Sequence, residues 1–113
     1  MIVRDFVLAA QQEVRASQRA MERAADKMRS GVDSEEVLKT IDAAAAEAAK
    51  KVEQHANAAM SQLSQVDDIS LQTELNRRFR IRNQLREMKR VIVEIHKEVT
   101  DSVRGHTEKE AWP

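Results

Sequence analysis

Val3, Val7, Ala10, Val14, Ser17, Met21, Ala24 and Met28 follow alternating steps of four and three residues. Held for nearly four heptads, that spacing predicts an amphipathic helix over residues 4–29. Ile2, Phe6, Ala9, Ala16 and Ala20 form a flanking stripe that widens the apolar arc of its N-terminal half, as suits a helix with two neighbours. Ser30 and Gly31 supply the stop, because Gly31 takes a left-handed C′ conformation without steric cost.

A second helix is expected over residues 34–65. Asp33 or Ser34 opens it, Asp33 and Glu36 have the spacing of a capping box, and Glu35 and Glu36 suit the positive end of the helix dipole. Its core face reads Val37 or Leu38, Ile41, Ala45, Ala48, Val52, Ala56 (with His55 the alternative), Ala59, Leu63 and Val66. Residues 43–49 contain six Ala, which let a neighbouring backbone approach closely or simply favour the helix. Residues 66–70 hold neither Gly nor Pro, so a break there rests on Asp67, Asp68 and Ser70 as caps. A helix continuing through this point is the alternative.

The third helix, residues 71–104, carries two stripes. From Ile81 onward Leu85, Met88, Ile92, Ile95, Val99 and Ser102 or Val103 keep a heptad pattern, with Gly105 as the stop. Upstream, Leu71, Leu75 and Phe79 are four residues apart. At 100° per residue their stripe lies roughly 90–170° round the helix from the downstream one. A straight helix cannot aim both into one core. Either it kinks near Phe79 and Arg80, or Leu71, Leu75 and Phe79 serve a second apolar surface for another chain, which is the favoured expectation. Residues 106–113 form a polar tail, expected to be flexible, whose single aromatic, Trp112, is free, docked on the bundle or an anchor for a partner.

The chain has 113 residues, 34% charged, with two Gly and one Pro, which fits one helical domain over residues 1–105. Sixteen of the apolar residues are Ala, so the core is thin and association would add to it. The expected fold is all-α, an antiparallel three-helix bundle or long helical hairpin, associating as a homodimer. No run approaches the length of a membrane span, Asp5 interrupts the place of a signal-peptide basic region, and there is no Cys. A cytoplasmic protein that does not bind membranes is the expectation.

The chemistry of catalysis is poorly represented. His55, His96 and His106 share no helical ligand spacing, and none has a Glu three residues before it, so neither a metal nor another cofactor is expected. No Cys nucleophile or Gly-x-Ser-x-Gly elbow is present, and the two Gly are too far apart to cradle a phosphate. An enzyme is not expected.

Charge is uneven beneath a net of zero. Residues 34–70 hold three basic and seven acidic side chains, and residues 71–113 ten basic and seven acidic. Residues 76–90 alone hold seven basic side chains against Glu87. The bland account is pairing with the acidic middle helix. A phosphate-binding face on residues 76–90, and with it nucleic-acid binding, is the alternative function, although an overall pI of about 6.8 and the shortage of stacking aromatics weigh against it. The leading expectation is a non-catalytic module, a small regulatory, adaptor or chaperone-like protein that binds a larger one. Leu71, Leu75 and Phe79 are its expected anchors, with Arg78, Arg82 and Arg86 as charged contacts.

Overall fold

A computed structural model describes residues 2–111, with side chains described for residues 2–105. Three helices run in sequence: α1 (Ile2–Lys27), α2 (Ser34–Ser64) and α3 (Leu71–Ala111). Each packs on the other two, and no strand occurs among the described residues. The result is a slender antiparallel three-helix bundle, 69 × 17 × 16 Å.

The heptad positions become the core. Ala10, Val14, Ser17, Met21 and Ala24 of α1 are buried, as are Val37, Ile41, Ala48, Val52, Ala56, Ala59 and Leu63 of α2. Ile81, Met88, Ile92 and Val103 of α3 complete it. Phe6, expected on a flanking stripe, is also buried, because two neighbours cover the wide apolar arc of early α1. The core falls into two clusters. One gathers around Phe6, Val52, Leu63 and Ile81, and the other around Met21, Val37, Ile41 and Val103. Ala45 and Ile95 pack against both. Ser17 satisfies its buried hydroxyl by donating to the Val14 carbonyl at 2.7 Å.

The turns are built as their residue types dictate. After the 3-10 turn Met28–Ser30, Gly31 adopts φ 93°. Its N–H donates to Met28 O and that of Val32 to Lys27 O, a Schellman pair that closes orphan helix carbonyls. Asp33 caps α2, accepting from the Glu35 N–H at a long 3.5 Å. Between α2 and α3 the chain breaks, with Asp68 in the left-handed region that Asp tolerates better than most residues. Ser70 caps α3 through the Thr73 N–H at 3.2 Å. Val66, expected as the last core position of the second helix, lies past the end of α2 and is exposed.

Helix α3 settles two expectations about itself. It is unbroken through Phe79 and Arg80, so its two stripes face different ways along one continuous helix. It also runs past Gly105 to Ala111. Gly105 has no positive φ, and an interior Gly costs a helix only about 1 kcal/mol relative to Ala. Residues 106–111, assigned by sequence to the tail, therefore carry helical backbone. Trp112 lies outside the described residues.

Candidate protein-binding face

Contacts between helices fix their register. The Arg78 guanidinium donates to Ser64 Oγ, Lys89 Nζ donates to Glu53 Oε2 at 3.0 Å, and His96 Nε2 lies 2.6 Å from Asp42 Oδ1. Ser64, the last residue of α2, is therefore about level with Arg78. On α1, Glu13 faces His55 of α2 at 3.3 Å, which brings the start of α1 near that same end. The first seven residues of α3, 71–77, thus extend about 10 Å past the end of α2 at 1.5 Å per residue.

Leu71 (71% exposed), Leu75 (56%) and Phe79 (64%) lie along this projection and the turn that follows it. Phe79, Arg86 and Val93 are seven residues apart, and Val93 is 65% exposed. They share one outward position of a second heptad, and Leu75, Arg82 and Lys89 share the adjoining one. The outer face of α3 therefore reads apolar, then cationic, then apolar. Beside Val93 a shallow cavity of about 370 Å³ opens between α2 and α3, floored by Ala45, Ala46, Ala49 and Ile92 and edged by Lys89 and His96. The Ala run in α2 is thus only partly spent on the core: Ala48 is buried, and Ala43 and Ala46 remain exposed.

The three arginines singled out by sequence divide into two kinds. Arg78 is half-buried and used within the chain. It pairs with Glu74 at 2.9 Å, reaches Ser64 and lies 3.7 Å from Met60 Sδ, so it ties α3 to the end of α2. Arg82 and Arg86 are exposed, and neither makes a hydrogen bond or ion pair among the described residues. Lys89 and Arg90 are engaged as well, Arg90 with both Glu87 and Glu94. The Arg90 hydrogen bond, helped by the Arg90 charge, holds the Glu87 carboxyl below its ordinary pKa against desolvation, and Glu87 and Glu94 raise that of Arg90. Arg80 and Arg77 fall roughly 120–180° round the helix from Arg82 and Arg86, so the basic block has no single cationic face.

Sequence periodicity could not foresee the links between helices. Glu13 with His55, Glu53 with Lys89 and Asp42 with His96 each depend on how two helices are aligned, which no spacing within one helix encodes. The acidic middle helix does pair with the last, through Glu53 and Asp42, but away from Arg82 and Arg86. Among the described residues, no three His, Asp or Glu side chains converge as a metal site needs, and no helix is long and apolar enough to cross a membrane. No known protein family, curated sequence or solved structure matches the chain.

Proposed function

We propose that the chain is a non-catalytic protein-binding module whose docking surface is the outer face of α3. Leu71, Leu75 and Phe79 serve as apolar anchors, and Arg82 and Arg86 as charged contacts. One observation carries this function: three large apolar side chains stand in line on the outside of a helix whose inner stripe is packed. Single exposed apolar residues are ordinary, whereas an aligned group on a regular element marks an interaction surface. Arg78 is better assigned to holding α3 in place.

By analogy with other small helical proteins the module is a regulator, adaptor or chaperone, working in the cytoplasm, where a chain without Cys loses nothing to reducing conditions. Nucleic-acid binding is the weaker proposal. Arg78, Lys89 and Arg90 are engaged with carboxylates, and the free cations diverge around the helix.

The test compares wild type with the Leu75→Ala, Phe79→Ala double variant in affinity capture from host lysate, with and without nuclease. The expected result is a stoichiometric protein that survives nuclease and is lost from the variant, while helix content by circular dichroism is unchanged. Identical recoveries from both proteins, or only nuclease-sensitive material, would overturn the assignment.

A further inference from the structure

Resting on the docking role proposed for the outer face of α3, we propose that its occupant is an amphipathic helix from a different protein. That helix carries acidic residues at its centre and apolar residues on either side, and it lies along α3 as a fourth helix. The order of side chains on the face dictates this chemistry. Arg82 and Arg86, one turn apart and unpaired among the described residues, sit between an apolar group at Leu75 and Phe79 and a second apolar position at Val93. A partner covering the whole face must desolvate both guanidinium groups. Leaving a charge buried without a counterion is costly, and Arg paired with a carboxylate is a strong, geometrically specific contact.

A second copy fits poorly in either symmetric arrangement. Two α3 helices crossed antiparallel about Leu75 would match Leu71 with Phe79, but three side chains offer only a few hundred Å² per copy, under the roughly 800 Å² per partner of a standard interface. Extending the antiparallel seam to Val93 moves the two-fold axis to Arg82, setting Arg82 against Arg82 and Arg86 against Arg78 of the other copy. A parallel pair sets Arg82 and Arg86 each against its own counterpart. Like charges at the centre of such an interface work against it. A heterologous helix with acids opposite the arginines gains the longer seam without that repulsion.

The shape agrees with the charge. From Leu71 to Val93 the face is about 33 Å long at 1.5 Å per residue, the length of a helix of roughly 22 residues. At its far end the Ala45, Ala46 and Ala49 floor leaves space between α2 and α3 for the side chains of an approaching helix.

The probe is a displayed library of amphipathic helical peptides of about that length. Leu is fixed at the flanking seam positions, and two central positions one turn apart are randomised. Selection on wild type should enrich Glu and Asp at the centre by on the order of tenfold. Selection on Arg82→Glu, Arg86→Glu should enrich Lys and Arg instead. Binders that need Phe79 but show no central acid preference would overturn the partner chemistry and leave the docking face standing. Failure to recover any binder sensitive to Phe79→Ala would remove the docking face itself. Two further measurements complete the test. A dimer in sedimentation velocity that dissociates on Phe79→Ala would make the second copy the occupant. A DNA duplex bound in a manner lost with Arg82→Glu, Arg86→Glu but kept with Phe79→Ala would give the face to phosphate. Either result overturns the proposal.

Discussion

Phe79 and Ile81 stand two positions apart on α3, and their surroundings are opposite. Ile81 is wholly enclosed by a cluster that includes Phe6, Ala59 and Leu63, while the larger Phe79 ring is mostly in water. The same division runs along the helix, with Met88, Ile92 and Val103 inside and Leu71, Leu75 and Val93 outside. Periodicity tells which residues share a face. Whether a face is covered depends on where the neighbouring helices lie, and Val93 stays outside even where α2 runs alongside it.

The strongest way to break the contrast is to truncate one residue on each side. Ile81→Ala should lower stability by about 2–5 kcal/mol, as removing a buried aliphatic side chain does. Phe79→Ala should stay within about 0.5 kcal/mol of wild type. Denaturant unfolding of the two variants decides it, and comparable losses would mean that Phe79 is packed rather than presented.

The arginines give a smaller contrast of the same kind. Arg78→Ala removes a half-buried tie to Glu74 and Ser64 and should cost about 1 kcal/mol after allowance for its partial exposure. Arg82→Ala should leave the unfolding midpoint where it was. The inner face also has one flaw to sharpen the comparison. Thr100 is buried, and its hydroxyl has no partner among the described residues. Thr100→Val keeps the shape, removes the unmet group and should raise stability by up to about 1 kcal/mol in the same assay.

The smallest effect concerns pH. Arg90 holds the Glu87 pKa below its ordinary value, so this pair adds stability above the usual carboxylate range and loses it as pH falls through the lowered value. Both side chains are in open solvent. Glu87→Gln should therefore leave the acid limb of the stability profile almost unmoved, as measured by thermal melts across the acid range.

The inner face was legible because heptads translate directly into burial, and Gly31, Asp33 and Ser70 were legible as caps because their chemistry is local. Gly105 misled for the same local reason: a glycine ends a helix only where the chain takes up a left-handed turn, and here it does not. Val66 misled because the stripe on α2 outlasts the helix that carries it. The outward stripe of Leu71, Leu75 and Phe79 was visible as a phase change. The engagement of Arg78 was not, since it needs Ser64 and Met60 brought alongside from another helix.

The projecting start of α3 has a further consequence for how its backbone amides behave. Residues 71–77 are the first turns of α3, past the end of α2, and their leading amides have no acceptor within the helix, the Thr73 N–H going to Ser70 Oγ. Local opening there therefore costs less than opening the centre of the bundle. In deuterium exchange these amides should label early, and those around Ile81, Ile41 and Val52 late. A protein seated on Leu71 and Leu75 must quiet that opening, and the entropy lost in doing so is subtracted from its affinity. The segment that meets the partner is therefore also the one whose exchange rate reports the meeting.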